Sequence, residues 1–490
     1  MRGILCCLLV LSAVAGAAPA WARGQGEAAK SIVTLNVLYP GEESDRMRSF
    51  LANEFRDRTV RDLGVEIRMT YAPWSRYWNT LDLMLQSGEP LDWYWDGNFS
   101  FSGHVARGQC QPIDGLLDTD GQDIKRVIPA ANFQALSMKG RIYGIPSQYA
   151  PSADKFLSVL GREDLLSAVG ITRLDTIAEL VRACELIRTS FPQITPLAGS
   201  VWRAMTRELS ASRDLHLTGS TEGLLYVVEN EPGSRVYSTF EDRGLMRRMS
   251  ALNQAFVQRG YVAPETLTEP QNDIVRFRNG RYAFENGAIA RPLEESAAVQ
   301  KNAPWARLRE YLLSPGKPKY IDMPGNEVLF VSSASRNPRK VMQFFDWIWK
   351  DRANYEFAIY GVAGTDYTVA ADRLTLVSSD MLFYDWMFRN LNYMRFPVNV
   401  TDEFIQDYVS WDKGARRSKL YGFAFDSTPV KAEAARVDSV WAARILPIIN
   451  GFVPFDEEYD RAVSDLRAAG VERIRAEYQK QLQAFRSSRS

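Results

Sequence analysis

Apolar segments of two different periods alternate along the first part of the chain. Residues 32–38 form an apolar run typical of a strand buried on both faces, and residues 44–62 carry apolar positions at helical spacing. Residues 65–71 alternate apolar with polar positions, as strands do. A second helical stripe covers 74–86, and a third apolar strand segment covers 91–95. This β-α-β-α-β order predicts a parallel sheet with right-handed crossovers.

Aromatic and acidic residues follow two of these predicted strands. Tyr39-Pro40-Gly41-Glu42 comes at the end of the first strand, and Trp93-Tyr94-Trp95-Asp96 at the end of the third. Ligands of open α/β sheets bind beyond the carboxyl ends of the strands. We therefore expect a ligand site at this edge of the sheet.

Helical signals dominate the rest of the chain. Thr176 and Glu179 have the spacing of a capping box, and residues 245–259 follow helical periodicity. Asn337 and Pro338 indicate a helix that begins with a cap residue and a first-turn proline. The C-terminal segment is mostly helical in its pattern, so we expect an α/β body followed by helices.

The composition limits the chemistry that this chain can perform. Among 490 residues, 59 are basic and 59 acidic, so the basic excess of many nucleic-acid-binding proteins is missing. Only 2 His and 4 Cys occur, beside 12 Trp, 21 Tyr and 24 Phe. Zinc sites and Ser-His-Asp mechanisms depend on the scarce types, whereas flat apolar contact surface is plentiful. We predict no cofactor, no metal and no nucleic-acid partner.

The N-terminus has the layout of a secretory signal peptide. Arg2 is followed by an apolar run from Ile4 to Ala18, and Ala20-Trp21-Ala22 offers an A-x-A cleavage site. A structural helix is the alternative interpretation. We predict cleavage near Ala22 and a periplasmic or secreted protein, rather than a lipid-anchored one. No later apolar run is long enough to span a membrane.

Two cysteines remain after such a cleavage. Cys110 and Cys184 could form a disulfide in an oxidising compartment. The alternative, which we favour, is two separate buried residues, because Cys184 falls on the apolar face of the helix capped by Thr176.

Aromatic side chains are better site candidates than acidic ones. Trp95, Trp202 and Trp386 fall near predicted strand ends or loops, where an indole can stack on a sugar face. Trp78, at helical spacing, is interpreted as a core residue. A glycosidase would need two carboxyl groups across one bond, and Asp96 with Glu285 is a conceivable pair whose separation the sequence does not give.

Several motifs, in a fixed order, resemble those of family-1 bacterial extracellular solute-binding proteins, the capture components of ABC importers. The matching segments are Trp74-x-x-Tyr77, Leu83-Met84-Leu85-Gln86-Ser87-Gly88-Glu89, Tyr143-Gly144-Ile145-Pro146, Phe345-Asp346-Trp347-Ile348-Trp349 and Tyr421-Gly422-Phe423-x-Phe425-Asp426. The last of these resembles a C-terminal domain of unknown function found in one branch of that family. Members of that branch usually carry a lipid-attachment cysteine, which this chain lacks, and Arg389-Asn390 stands where Gly-Asn is common.

The resemblance implies a bilobal α/β fold of the type II periplasmic-binding-protein kind, with parallel or mixed sheets and hinge crossings. It suggests a signal peptide at 1–22, a first lobe at 23–146 and 288–350, a second lobe at 147–287 and 351–411, and a helical extension at 412–490. The function it implies is capture of a small solute, which we expect to be an oligosaccharide, by a monomer that closes about its hinge and delivers the solute to an ABC permease. A receptor that presents its ligand to a membrane sensor, and a secreted glycoside hydrolase, are the alternatives.

Eight residues are predicted to contact the ligand. Trp95 and Trp202 are expected to stack on sugar rings, and Asp96, Glu285 and Asn390 to bond hydroxyl groups. The full predicted set is Tyr39, Trp95, Asp96, Tyr149, Trp202, Glu285, Trp386 and Asn390. No catalytic residue is predicted.

Overall fold

The structure is a computed structural model. It describes residues 32–146, 151–154, 156–199, 201–210, 212–218, 223–263, 265–268, 273–323, 327–377 and 382–487. The predicted signal peptide, its cleavage site at Ala22 and the predicted ligand contact Tyr149 lie outside the described residues.

The first sheet is mixed and has five strands. Its order is Val65–Ala72, Val33–Pro40, Trp93–Gly97, Glu327–Val331 and Ile145–Pro146. The first three strands are parallel, as the β-α-β-α-β pattern predicted. The fourth runs antiparallel to its two neighbours and places Glu327 opposite Gly97. Residues more than 200 positions apart in the chain therefore meet at the carboxyl end of the Trp93–Gly97 strand.

A second mixed sheet holds the middle of the chain. Its order is Leu308–Tyr311, Val159–Arg162, Tyr282–Asn286 and Thr195–Leu197. Smaller antiparallel pairings complete the strands; they are Leu215–Thr218 with Leu225–Val228 and Tyr237–Ser238, Ser137–Met138 with Arg141–Ile142, and Tyr367–Ala370 with Arg373–Leu376. Tyr320–Ile321 pairs in parallel with Arg416–Arg417 and forms a separate two-stranded sheet.

Helices cover both sheets and form the C-terminal part. The longer ones are Arg56–Leu63, Tyr77–Ser87, Ile177–Ser190, Trp202–Leu209, Arg243–Gln258, Arg291–Asn302, Pro338–Lys350, Arg352–Tyr360, Asp402–Ser410, Lys431–Val440, Phe455–Ala469 and Val471–Ser487. The shorter α-helices are Asp45–Phe50, Phe101–Ala106, Asp114–Asp120, Gln122–Val127, Ala130–Ala135, Glu163–Ala168, Glu265–Thr268, Asp273–Arg278, Asp385–Phe388 and Leu446–Ile449. The capping box of Thr176 and Glu179 is present, and Pro338 occupies the first turn of its helix.

Two large hydrophobic cores correspond to the two sheets. The first core contains the apolar residues of the first sheet, from Leu35 to Ile145, together with residues between Val328 and Met394. The second core contains apolar residues of the second sheet and of the C-terminal helices, from Leu420 to Leu482. Two sheets, two cores and a helical C-terminal region confirm the bilobal α/β fold class.

The cores divide the chain differently from the predicted lobe boundaries. Tyr355, Ile359 and Leu374, which the prediction placed in the second lobe, are buried in the first core. The Leu308–Tyr311 strand, predicted in the first lobe, pairs with Val159–Arg162 in the second sheet. The chain stays in the second sheet as far as Tyr311, where it still pairs with Val159–Arg162. It next pairs with the first sheet at Glu327–Val331.

Polar side chains fix the segments that cross between the sheets. Arg207 forms a buried ion pair with Asp154 and donates hydrogen bonds to the carbonyl groups of Leu313 and Lys317, at 3.1 and 3.0 Å. The carboxylate of Asp412 accepts hydrogen bonds from the backbone N–H of Ser152 and of Ala153. Residues 151–154, 313–318 and 412 are thereby held together between the two cores.

Cys110 and Cys184 are buried and free. Cys110 lies in the first core and Cys184 in the second. The interpretation of two separate buried residues is therefore confirmed, and the disulfide is absent.

Candidate ligand-binding site

A cavity of about 240 Å³ opens where the carboxyl ends of the first sheet meet a smaller apolar cluster that contains Ile289, Ala290 and Tyr408. Its lining residues are Trp74, Trp95, Pro151, Ile289, Ala290, Glu294, Glu327, Trp386, Arg389 and Tyr408. Trp74 follows the Val65–Ala72 strand and Trp95 lies in the Trp93–Gly97 strand. The cavity thus lies at the sheet edge where the sequence placed the ligand site.

Three indole rings form one wall of the cavity. The rings of Trp95 and Trp386 have centroids 4.8 Å apart and meet edge to face at 65°. Trp74 completes the group, 5.9 Å from Trp95 and 6.0 Å from Trp386. This wall offers flat apolar faces, and indole N–H groups that can donate hydrogen bonds.

Stacked tyrosines support the wall from behind. Tyr384 stacks on Trp386, with centroids 5.0 Å apart and planes 15° from parallel. Tyr39 stacks in turn on Tyr384 at 5.3 Å, and its hydroxyl accepts a hydrogen bond from the backbone N–H of Tyr384 at 2.5 Å. Because Tyr39 is anchored in the first sheet, this column fixes the position of Trp386.

One arginine contributes a fixed positive charge to the lining. Arg389 is buried and donates hydrogen bonds to Asp385 at 3.1 and 2.8 Å and to the Tyr408 hydroxyl at 3.3 Å. Burial by itself lowers the pKa of Arg389, but Asp385, Tyr408 and Glu294 together outweigh it, and the net pKa lies well above its usual value. With Glu294 and Glu327, Arg389 provides charged hydrogen-bonding groups around the indole wall.

Two buried carboxyl groups lie side by side in the second sheet. Glu285 and Glu310 are both opposite Leu160, on the strands to either side of it. Burial raises the pKa of Glu285 to about 7 and that of Glu310 to about 8. Glu310 Oε1 accepts a hydrogen bond from the backbone N–H of Ala288 at 3.2 Å. The next two residues, Ile289 and Ala290, line the cavity.

Two of the eight predicted contacts, Trp95 and Trp386, meet at the cavity, and Tyr39 lies behind them in the tyrosine column. Asp96 is next to Trp95, but its carboxylate is turned inward. Oδ1 accepts hydrogen bonds from Trp78 Nε1 at 3.0 Å and from Gly97 N at 2.7 Å, and Oδ2 contacts His104 Nε2 at 2.8 Å.

The other predicted contacts lie away from the lining. Trp202 begins a helix of the second core, where its ring packs against Gly223. Glu285 is buried within its strand, so the conceivable glycosidase pair of Asp96 and Glu285 does not line this cavity. Asn390 is fully buried, and its Oδ1 accepts a hydrogen bond from the backbone N–H of Asn392.

Sequence reasoning missed most of the polar lining and one indole. The apolar stripe predicts a helix that includes Trp74, but the helix begins at Tyr77, so Trp74 lies in the strand-to-helix connection and is 41% exposed. The strand-end argument that selected Trp95 would also have selected Trp74 if the helix had been started later. Glu294, Glu327 and Arg389 carried no motif, and only the tertiary contacts bring them together.

Comparison with known proteins identifies the family. Residues 51–372 match the bacterial extracellular solute-binding protein family, and residues 419–487 match a domain of unknown function, DUF3502. The chain belongs to the bacterial extracellular solute-binding proteins. As a solute-binding protein it captures a molecule and does not transform it, which confirms the expectation that it is not an enzyme.

Relatives of this solute-binding protein cover nearly the whole chain. A carbohydrate ABC transporter substrate-binding protein of Streptococcus pneumoniae serotype 4 (strain ATCC BAA-334 / TIGR4) is 20% identical over 91% of this chain and 89% of its own. The crystal structure of the N-glycan transport solute binding protein from Streptococcus pneumoniae is similar with a TM-score of 0.73, at 16% identity, over 94% of this chain and all of that chain. Alginate-binding protein AlgQ2 follows with a TM-score of 0.62, at 16% identity, over 94% and 100% of the two chains.

Two further observations concern the described residues only. No helix there is long and apolar enough to cross a membrane. No cluster of three or more His, Cys, Asp or Glu side chains within the described ranges is arranged to hold a metal ion.

Proposed function

We propose that this solute-binding protein is exported and captures an oligosaccharide between its two lobes. The observation that carries the proposal is the cavity wall of Trp74, Trp95 and Trp386, with Arg389 and two carboxylates around it. Sugars present apolar ring faces and a rim of hydroxyl groups, so they match a flat aromatic wall edged by charged hydrogen-bonding groups. The carbohydrate importer relative and the N-glycan-binding structural neighbour support the same class of ligand.

The size of the cavity supports capture by closure. Its volume of about 240 Å³ lies below the range of roughly 300 to 1,000 Å³ that is usual for small-molecule sites. An oligosaccharide therefore enters while the lobes are apart, and closure then encloses part of it. Such closure is driven by tighter binding to the closed form, so the ligand shifts the population of the two states.

We further propose delivery of the bound sugar to an ABC permease by a monomer, after removal of residues 1–22. We place the hinge for this closure at residues 151–154, 313–318 and 412, which charged side chains hold together. Mass spectrometry of the exported protein should find a new N-terminus near Arg23. An N-terminus at Met1 would contradict the processing.

A ligand screen tests the central part of the proposal. Unfolding temperature is measured with neutral oligosaccharides, uronic acid oligomers, peptides and amino acids, and the ligand is analysed after incubation. A sugar at 100 times its dissociation constant should stabilise the protein by about 2.7 kcal/mol and be recovered intact. Stabilisation by peptides or amino acids alone would overturn the sugar assignment, and a shortened sugar would overturn the binding-only function.

An uptake experiment tests delivery. Cells that lack this protein should fail to import the labelled sugar, and expression of the wild-type chain should restore import. If import is unchanged while a transcriptional response to the sugar is lost, the protein presents its ligand to a sensor instead.

A further inference from the structure

Three exposed aromatic side chains lie near the end of the Trp93–Gly97 strand, and one of them, Trp74, also lines the cavity. Trp74 and Trp78 are each 41% exposed, and Phe99 is 66% exposed. Large aromatic residues gain most of their stabilising free energy by burial, so these exposed rings gain stability when a ligand covers them. We name Trp74, Trp78 and Phe99 the outer aromatic rim.

The outer aromatic rim is continuous with the cavity wall. Trp74 belongs to both, and its ring centroid is 6.0 Å from that of Trp78. Trp78 is also 6.2 Å from the cavity residue Trp95. Phe99 packs over Gly97, where a Cβ atom would overlap its ring, and Gly97 donates its N–H to the same carboxylate that binds Trp78.

Buried polar groups hold Trp78 in place although its face is exposed. Trp78 Nε1 donates to Asp96 Oδ1 at 3.0 Å, and Asp96 Oδ2 contacts His104 Nε2 at 2.8 Å. His104 Nδ1 contacts Gln109 Oε1 at 2.8 Å, and that oxygen also accepts from Arg107 Nε at 2.9 Å. A surface indole fixed in this way loses little conformational entropy when a ligand stacks on it.

We propose that the outer aromatic rim is a second carbohydrate subsite, which stacks the sugar units of an oligosaccharide that extend out of the cavity. The inference rests on the proposed function. The cavity is too small to enclose a long glycan, and Trp74 leads from its interior to the rim. The pyranose ring is the matching ligand chemistry, because its apolar face covers an indole while its hydroxyl groups stay in water.

The test compares sugars of different length on one variant. Calorimetric titrations use disaccharides and matched pentasaccharides of mannose, glucose, galactose or N-acetylglucosamine, and wild type is compared with Trp78→Ala. We expect Trp78→Ala to weaken pentasaccharide binding about tenfold and to change disaccharide binding less than twofold. Trp78→Phe, which keeps an aromatic face, should recover part of the pentasaccharide affinity.

A matched control removes an indole elsewhere. Trp305 is 70% exposed and does not line the cavity, so Trp305→Ala should leave both affinities unchanged. If Trp78→Ala weakens disaccharide and pentasaccharide binding equally, or changes neither affinity, the proposal of a second subsite is overturned. The proposed function stands in either case, because the protein still binds sugar. If none of these sugars binds wild-type protein, both proposals fail. If sugar affinities persist but Trp78→Ala abolishes import, the rim contacts the permease and not the sugar.

Discussion

The carboxyl group of Glu310 accepts a hydrogen bond from the backbone N–H of Ala288 at 3.2 Å, and so holds the turn that carries Ile289 and Ala290 into the cavity. Gly287 precedes this turn, and a Cβ atom there would overlap both Ser158 and the Glu310 carboxyl group. The titratable carboxyl group of Glu310, in the second sheet, thus fixes one side of the cavity, and the indole wall forms the other side.

Stability should therefore fall as pH rises through neutrality. Burial raises the pKa of Glu310 to about 8 in the folded state, from 4.5 for an ordinary glutamate. Between these values the folded state keeps a proton that the unfolded state releases, so this contribution to stability is complete below pH 4.5 and is lost as pH approaches 8. Glu285, with a pKa of about 7, acts in the same direction.

Glu310→Gln tests this assignment. The variant keeps the carbonyl oxygen that accepts from Ala288 but cannot ionise, so it should be more stable than wild type at pH 8, by up to about 5 kcal/mol, because a pKa raised from 4.5 to about 8 corresponds to about 1.4 kcal/mol for each unit. Urea unfolding from pH 4.5 to 8.5 measures the difference. The exposed Glu457→Gln should leave the pH slope unchanged. A Glu310→Gln slope as steep as that of wild type would show that another group is responsible.

Loss of either inner indole should weaken sugar binding. Trp95 is only 6% exposed and lines the cavity together with Trp386. We expect Trp95→Ala and Trp386→Ala each to weaken binding at least tenfold, which is about 1.4 kcal/mol. Calorimetric titration measures this. Trp386→Phe, which keeps the stack on Tyr384, should retain more affinity than Trp386→Ala, and equal losses would contradict the stacking role.

Arg207 should be essential for stability. Its guanidinium group is buried, pairs with Asp154 and donates to the carbonyl groups of Leu313 and Lys317. Arg207→Ala leaves Asp154 buried without its partner and should cost about 3 to 5 kcal/mol in urea unfolding. Arg207→Lys should be destabilised by most of the same amount, because a single ammonium group cannot make the several hydrogen bonds of the planar guanidinium group.

A surface arginine provides the comparison for Arg207. Arg243 forms an ion pair with Asp460, and both side chains are exposed, so Arg243→Ala should change stability by less than about 1 kcal/mol. Wild-type stability in Arg207→Lys would show that charge alone, without the guanidinium geometry, holds the crossing segments.

Thiol titration should distinguish folded, unfolded and unprocessed chains. Burial raises the pKa of Cys110 to about 12 and that of Cys184 above its usual value, so neither thiol should react with a disulfide reagent in the folded protein near pH 8. The denatured exported protein should show two thiols per chain without a reductant. Four would mean that Cys6 and Cys7 remain attached, and none would mean that Cys110 and Cys184 are bonded.

Local periodicity predicted the elements better than it predicted exposure. Apolar spacing predicts the three parallel strands and the Tyr77–Ser87 helix. Tyr77 and Leu81 lie one turn apart on the buried face of that helix, and Trp78 is rotated by about 100° from Tyr77, which brings it toward solvent. Periodicity cannot separate these neighbours when both are aromatic.

By itself, the sequence determined that residues 32–97 form a parallel α/β unit, that the chain carries the motifs of a solute-binding family and that it is poor in catalytic residue types. These properties are local or depend on the order of motifs, so they can be read along the chain. The tertiary structure decided that Trp95 meets Trp386 while Trp202, Glu285 and Asn390 lie elsewhere. Trp95 lies in a strand that pairs with Glu327–Val331, and Trp386 packs against the core that contains this strand. Such long-range contacts have no signature in local spacing.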